Sequence, residues 1–196
     1  MKKILFFLIP LGAFLSITLF LLKGLFSEAR YEVSISVDKQ VPEFALPDVM
    51  DPQQIYTKEV FLGQKTLLNV WGVWCVTCAV ELPYLAELRK QGIRIVGLYY
   101  QLNNDPDFGA KPLPQLQWEI REMLGKYGDP YQFNIFDAQR SYGMDLGVTG
   151  APETFLIDEQ GVVRVHHVGD LNPRVWQEKF AAYYSEDKAS AQGAGR

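Results

Sequence analysis

The sequence predicts an α/β domain, a central mixed sheet flanked by helices, preceded by one N-terminal transmembrane helix. Three observations lead to this prediction. A Trp-Cys-Val-Thr-Cys turn, residues 74–78, stands between an apolar run, Thr66–Trp71, and a periodic segment that ends near Gln91. Two later apolar runs joined by Glu-Gln-Gly predict an antiparallel hairpin. An uncharged run of 19 residues, Ile4–Leu22, predicts the membrane helix.

The N-terminal run follows Lys2 and Lys3. As a helix rising about 1.5 Å per residue it would span roughly 28 Å, close to the thickness of the hydrocarbon core. The lysines favour a cytoplasmic N-terminus, so residues 1–27 are predicted to anchor the chain with its bulk outside. The alternative is a cleaved signal peptide, whose apolar region is usually shorter and for which Ser27 and Ala29 provide suitably small residues.

Length and charge limit the number of domains and the kinds of partner that the rest of the chain can have. The 196 residues suffice for one domain plus an appendage. All 23 acidic residues follow Ser27, as do 16 of the 19 basic ones, so this part has a net charge of −7. Such a domain gives no reason to expect nucleic-acid or anionic-membrane binding. Residues 28–40 are predicted to be a tether, 41–184 the α/β domain and 185–196 a disordered tail.

Apolar periodicity and turn residues predict the order of elements. We expect a leading hairpin (residues 44–48 and 54–57), a buried strand (Thr66–Trp71), a helix ending at Gln91, a strand (Ile93–Tyr100), a loop (Gln101–Pro114), a helix (Leu116–Tyr127), a short strand (Phe133–Phe136), one or two helical turns (Arg140–Leu146), a hairpin (Thr154–Asp158 with Val162–Val168) and a last helix from Pro173 to about Tyr184. Strand, helix and strand with short joins imply a right-handed parallel crossover. This order is that of the thioredoxin-like fold.

Cys75 and Cys78 are the only cysteines of the chain, and their spacing predicts a redox centre. Two cysteines do not complete a structural zinc site, which needs four ligands. No histidine follows Cys78, so the turn is not a c-type haem attachment sequence. A purely structural disulfide across so short a loop would constrain the unfolded chain little. We therefore expect the cysteine pair itself to react, with no cofactor and no metal.

Cys75 is the expected nucleophile, because unpaired N–H groups and the dipole at a helix N-terminus favour a thiolate. Cys78, one turn later, is placed to resolve a mixed disulfide. Glu81 lies three residues further on the same helix side, where a buried carboxylate with a raised pKa would accept a proton. The alternative for Glu81 is a solvated surface glutamate. Trp74 is expected either to wall the site or simply to pack beside the turn.

A second motif, Gly-Ala-Pro-Glu-Thr, covers residues 150–154 before the predicted hairpin. Its proline, Pro152, suggests a cis peptide bond in a tight turn, which in this fold lies against the cysteine turn. The backbone at Ala151 and Pro152 would then pair with an extended substrate segment. Glu153 would line the resulting groove.

The redox turn, together with residues 147–158 (Gly-Val-Thr-Gly-Ala-Pro-Glu-Thr-Phe-Leu-Ile-Asp) and 169–176 (Gly-Asp-Leu-Asn-Pro-Arg-Val-Trp), resembles the membrane-anchored thioredoxin-like proteins of bacterial cytochrome c maturation, the CcmG or DsbE family. The likeness covers almost the whole chain. It implies a periplasmic reductant, single-pass in the inner membrane, that keeps the haem-binding cysteines of apocytochrome c reduced for haem ligation. It also implies recharging by a DsbD-like membrane electron donor.

The resemblance also implies roles for individual residues. It maps Cys75 and Cys78 onto the family's active cysteines, Pro152 onto its cis-proline, and Glu81 and Glu153 onto its acidic groove residues. The chain departs from the family pattern at Val76, where the family usually has proline, and at Thr149, where an aromatic is expected. Asn69 stands where thioredoxin has a buried aspartate, and because an asparagine cannot do acid–base chemistry, its presence favours Glu81 for that role.

Two other functions fit parts of the sequence. A general periplasmic disulfide oxidase would use the same cysteine pair with a strongly oxidising potential. A copper-binding thioredoxin-like chaperone would use a Cys-x-x-x-Cys spacing with a distant histidine, whereas the spacing here is Cys-x-x-Cys. His166 and His167 alternate along the last predicted strand, so at most one points inward. A peroxidase would need Thr-x-x-Cys, which the chain lacks.

Overall fold

The computed structural model describes residues 2–25, 36–103 and 110–184, with side chains of the first range given for residues 9–23. The chain divides into two compact units, Met1–Val33 and Ser34–Arg196. Most of the predicted tether, all of the predicted tail and the middle of the predicted loop after residue 101 lie outside the described residues.

Helix α1, Lys2–Leu25, forms the first unit as far as it is described. It includes Pro10 and carries Lys23 in its last turn. Within the described residues, no helix is both long and apolar enough to cross a membrane. The transmembrane anchor therefore stays a prediction.

In its described residues the second unit contains a small hairpin, a five-stranded sheet, four α-helices, one 3-10 turn and one π-helical segment. The elements are β1 (Ala45–Pro47), β2 (Ile55–Thr57), a 3-10 turn (Lys58–Phe61), β3 (Thr66–Trp71), α2 (Val76–Lys90), β4 (Ile95–Tyr99), α3 (Leu113–Tyr127), β5 (Asn134–Phe136), α4 (Ser141–Leu146), β6 (Glu153–Ile157), β7 (Val163–Val168) and α5 (Pro173–Val175), which continues as a π-helical segment (Trp176–Phe180).

The sheet has the strand order β5-β4-β3-β6-β7. Strands β3, β4 and β5 are parallel, whereas β6 is antiparallel to β3 and β7 is antiparallel to β6. This mixed sheet confirms the predicted thioredoxin-like fold. Helix α3 begins three residues before the predicted Leu116, because a proline in its first turn is compatible with a helix.

The two faces of the sheet are covered by different elements. Alternate residues of β3 point to opposite sides, so Leu67 and Trp71 pack with apolar residues of α2, α3 and α5. Leu68 and Val70 pack on the other side with Tyr142 of α4 and its neighbours. All six β3 residues are buried, as expected for a central strand. The redox turn that follows β3 thus emerges from the middle of the core.

Helix α2 presents one apolar stripe to the sheet and holds the second cysteine on it. Leu82, Leu85 and Leu88 recur at the spacing of one helix face and are fully or almost fully buried, as is Cys78. Pro83 lies inside the helix on the exposed side, and the helix continues through it. The burial of this stripe fixes the direction in which the N-terminus of α2 presents the cysteines.

Gly97 in β4 lies where two buried side chains meet behind the sheet. Asn134 Oδ1 accepts a hydrogen bond of 2.9 Å from Trp71 Nε1, and a Cβ on Gly97 would lie 2.0 Å from that oxygen. We expect Gly97→Ala to lower the free energy of unfolding by about 2–4 kcal/mol, because it overpacks the core and breaks this hydrogen bond. Urea unfolding measures the change.

Gly125→Ala is the matched control. Gly125 lies in the exposed part of α3, and an added Cβ there meets nothing within 4 Å. Alanine has the higher helix propensity, so this variant should be up to about 1 kcal/mol more stable. Equal stability of the two variants would contradict the close approach at Gly97.

Candidate active site

Cys75 and Cys78 form a disulfide at the start of α2, with the two Cα atoms 5.3 Å apart. Cys75 is the N-cap of the helix, and its Sγ accepts a hydrogen bond of 3.1 Å from the Cys78 backbone N–H. Cys75 is 6% exposed and Cys78 is not exposed at all. An incoming thiolate can therefore approach only the sulfur of Cys75.

The Trp74 side chain packs beside the redox turn, against Tyr100 and Gly72. Its indole Nε1 donates a 2.9 Å hydrogen bond to the Tyr100 carbonyl, and its ring lies 5.0 Å from the Tyr100 ring. The ring folds back over Gly72, where a Cβ would lie 2.3 Å from Trp74 Nε1. The lack of a side chain at Gly72 thus allows the indole to take this position.

The sheet brings the second motif to the redox turn. Val70 near the end of β3 pairs with Glu153 at the start of β6, so the segments that continue beyond these two strand ends meet at one edge of the sheet. The Ala151–Pro152 bond is cis, and the Pro152 carbonyl accepts a 2.9 Å hydrogen bond from Gly169 N–H. Ala151 packs against the cluster that contains both cysteines.

Glu81 is buried, with 2% of its surface exposed, so the alternative of a solvated surface residue is excluded. Its Oε2 accepts a 2.7 Å hydrogen bond from the Leu171 backbone N–H, and its Oε1 accepts one of 2.9 Å from Asn69 Nδ2. Burial raises the pKa of Glu81 to about 7, although these two hydrogen bonds favour its ionised form. At neutral pH the carboxyl can therefore both take up and release a proton.

The partners of Glu81 form a buried hydrogen-bond network that was not predicted from the sequence. Asn69 Oδ1 accepts a 2.6 Å hydrogen bond from the Tyr131 hydroxyl, while its Nδ2 also donates to Thr154 Oγ1 at 3.1 Å. Burial raises the pKa of Tyr131 well above its ordinary value, with the Glu81 charge acting in the same direction. Asn69 thus holds the Glu81 carboxylate by a neutral donor. The sequence contains only one signal for this hydrogen-bond network, the polar residue Asn69 inside an apolar strand.

Glu153 does not line the groove, contrary to the sequence prediction. Its side chain is fully buried, and its Oε1 accepts hydrogen bonds from Thr149 N–H at 2.8 Å, Thr149 Oγ1 at 2.5 Å and Gly150 N–H at 2.6 Å. His166 Nε2 lies 2.7 Å from its Oε2. Burial favours the neutral acid, but the hydrogen bonds from His166 and Thr149 outweigh it and hold the pKa of Glu153 below its ordinary value.

A groove of about 760 Å³ opens beside Cys75, between the redox turn and α3. The turn contributes Cys75 and Val76, and α3 contributes Trp118, Glu122 and Tyr127, among others. Val76 is 82% exposed and Trp118 is 59% exposed. No sequence motif marks Trp118, because only the packing of α3 against α2 brings it to this groove.

The two histidines of β7 point to opposite faces of the sheet. His166 stacks on Phe155, whereas His167 Nε2 lies 3.2 Å from the Asp170 carbonyl oxygen. Burial lowers the pKa of His167 below its ordinary value. Among the residues that the structure describes, no group of three or more histidine, cysteine, aspartate or glutamate side chains is placed to hold a metal ion.

Comparisons with known proteins place the chain in a family. The Redoxin family model matches residues 36–184. The thiol:disulfide interchange protein DsbE of Vibrio cholerae serotype O1 is 44% identical over 97% of this chain and 98% of its own length. The protein of the same name from Escherichia coli K12 is 41% identical over 94% of this chain and 97% of its own length.

Solved structures agree on the fold. A secreted Mycobacterium tuberculosis disulfide oxidoreductase, described as homologous to E. coli DsbE, superposes with a TM-score of 0.53 at 15% identity and covers 71% of this chain and 95% of its own. The MTB dsbF structure gives a TM-score of 0.56 at 20% identity, covering 71% of this chain and 93% of its own. From its sequence relatives, the chain belongs to the DsbE family of Redoxin-domain proteins and is a thiol:disulfide oxidoreductase whose redox-active group is the Cys75–Cys78 pair.

Proposed function

We propose that the chain is a periplasmic reductant that keeps the haem-binding cysteines of apocytochrome c reduced during cytochrome c biogenesis. The observation that carries the proposal is the relationship to proteins named DsbE over nearly the full length of the chain. The CcmG or DsbE family, which the redox turn and residues 147–158 resemble, belongs to cytochrome c maturation. An almost fully buried cysteine pair, open at one sulfur only, fits a reductant for a dedicated polypeptide.

The reaction begins from the reduced pair. The Cys75 thiolate attacks one sulfur of the substrate disulfide, so that a Cys75–substrate bond forms and the other substrate sulfur leaves as a thiolate. Cys78 then loses its proton and attacks Cys75 Sγ, which releases the second substrate sulfur and closes the Cys75–Cys78 disulfide. Two electrons pass to the substrate, and its two thiolates take up two protons.

The surrounding residues support each step. The helix N-terminus and the Cys78 N–H stabilise a thiolate on Cys75. Glu81, with a pKa of about 7, accepts the proton of Cys78. Trp74 walls the site, and the backbone of Ala151, the residue before the cis-proline, pairs with the extended substrate segment, since the Pro152 carbonyl is bonded to Gly169 N–H.

The location and the partners form part of the same proposal. Residues 1–27 anchor the chain as a single pass in the bacterial inner membrane, and residues 41–184 form the periplasmic domain. The predicted tether, residues 28–40, is tied to this domain at its end, because Asp38 N–H donates to Val163 O and Val163 N–H donates to Lys39 O. A DsbD-like membrane protein returns two electrons by attacking the more accessible sulfur, Cys75. The substrate side is an apocytochrome c or a component of haem ligation.

Two measurements test this function. A bacterium that lacks its own DsbE should regain covalent c-type haem when it expresses the full chain, and not when it expresses the Cys75→Ser chain. The equilibrium reduction potential of the Cys75–Cys78 pair should lie near or below about −200 mV. A potential near about −120 mV without recovery of c-type haem would instead identify a general disulfide oxidase.

A further inference from the structure

The loop of residues 149–152, here called the pairing loop, is held from inside by a single buried carboxylate. Three donors of the loop, the Thr149 N–H, the Thr149 hydroxyl and the Gly150 N–H, converge on Glu153 Oε1. The loop itself is more open, since Thr149 is exposed and Ala151 is half-buried. The orientation of the Glu153 carboxylate therefore determines how the loop presents its backbone.

The second oxygen of that carboxylate has a different partner. Glu153 Oε2 lies 2.7 Å from His166 Nε2. The register of β6 and β7 explains the contact, because His166 pairs with Phe155 and so lies diagonally across from Glu153 on the same sheet face. An ionised carboxylate has only acceptors, so in this contact the His166 Nε2 carries the proton.

His166 is itself fixed in place. Its side chain is 3% exposed, and its ring stacks on the Phe155 ring with centroids 4.0 Å apart and planes 12° from parallel. The imidazole therefore cannot rotate freely, and its Nε2–H stays aimed at Glu153 Oε2. A rigid donor on one oxygen sets the orientation of the other oxygen.

We propose that His166 is a positioning residue for polypeptide disulfides, acting through Glu153 on the pairing loop. If the donor is lost, Oε2 is buried without a partner, and the carboxylate lowers its energy by turning towards the loop donors or towards water. The pairing loop then samples other conformations, and an extended substrate binds more weakly to its less ordered backbone. Cys75 donates a hydrogen bond to Gly72 O and accepts hydrogen bonds from Cys78 N–H and Ala79 N–H, and none of these involves a residue of the pairing loop. The intrinsic reactivity of the cysteine pair should accordingly not change.

Three variants separate the donor from the ring. His166→Phe keeps an aromatic ring on Phe155 but has no donor. His166→Gln loses the ring but places an amide nitrogen at the same number of bonds from the backbone as Nε2. His166→Asn keeps an amide that is too short to reach Glu153, and it serves in place of His166→Phe should that variant fail to fold.

The experiment compares two reactions of the full chain in mild detergent. The reduced chain reacts with a model peptide that contains one disulfide, and the oxidised chain reacts with dithiothreitol, a small dithiol that needs no backbone pairing. We expect His166→Phe to lower the second-order rate constant for reduction of the peptide about tenfold, mainly through weaker binding of the peptide, which corresponds to about 1.4 kcal/mol. The dithiothreitol rate should stay within about twofold, and His166→Gln should recover to within about threefold of the original peptide rate.

The inference rests on the disulfide-interchange activity and not on the natural substrate, so it stands or falls independently of the apocytochrome proposal. An unchanged peptide reaction in His166→Phe would overturn it. Equal losses in the peptide and dithiothreitol reactions would also overturn it, because they would indicate a general effect on the fold. If His166→Gln reduced the peptide slowly while His166→Phe reduced it at the original rate, the role would belong to packing of the ring and not to the hydrogen bond.

Discussion

A chain in which serine replaces Cys75 is expected to lose its disulfide reductase activity by at least about a thousandfold. Only the sulfur of Cys75 is accessible, since Cys78 is not exposed, so no other nucleophile can begin the exchange. A serine hydroxyl at the helix N-terminus stays protonated at neutral pH, whereas a cysteine there ionises readily. The rate of reduction of a peptide disulfide by the reduced chain measures the loss.

Cys78→Ser is the matched control for this prediction. It keeps the accessible nucleophile but removes the resolving thiol, so the reaction should stop at a Cys75–substrate mixed disulfide. Mass spectrometry should detect this adduct in Cys78→Ser and not in Cys75→Ser. If the adduct formed instead on Cys78 in the Cys75→Ser chain, the assignment of the nucleophile would be reversed.

Glu81→Gln is expected to change how stability depends on pH. Burial raises the pKa of Glu81 from its ordinary 4.5 to about 7 in the folded chain. The folded state therefore holds this proton more tightly than the unfolded state, and the contribution is fully present below about pH 4.5 and disappears as the pH rises through about 7. The shift corresponds to about 3 kcal/mol, which Glu81→Gln should remove from the pH dependence.

Thermal unfolding of the oxidised chain between pH 5 and pH 8 tests this expectation, because the cysteines then do not titrate. Glu153 and His167 have lowered pKa values, and their contributions grow with pH in the opposite sense. They are common to both chains, so the difference between the original chain and Glu81→Gln isolates Glu81. Glu87→Gln, on the exposed side of the same helix, is the control. Parallel pH curves for Glu81→Gln and the original chain would show that Glu81 does not bind a proton in this range.

The fold was predictable because its signals are local. Residues 66–71 form an unbroken buried strand, the cysteines follow at once, and a helix with a regular apolar stripe comes next. Each of these features depends on residues a few positions apart, which the sequence shows directly. The Gly-Ala-Pro-Glu-Thr motif likewise marked the loop that holds the cis bond between Ala151 and Pro152. The Cys-x-x-Cys spacing pointed to the reaction class for the same reason.

The environments of the acidic residues were not predictable in this way. Glu81 is three residues from Cys78, but its hydrogen-bond partners, Asn69 and Leu171, lie 12 residues before it and 90 residues after it in the sequence. The predicted groove residue Glu153 turns inward because the β6–β7 register places His166 beside it.

The sequence by itself determined the element order, the redox pair and the side of α2 on which Cys78 and Glu81 lie. Only the tertiary structure decided which sulfur is accessible, which carboxyl has a pKa of about 7 and which histidine contacts Glu153. The physical reason is that burial and hydrogen bonding depend on contacts between distant segments. Those contacts set the pKa of Glu81 and the orientation of Glu153, and no periodicity in the chain encodes them.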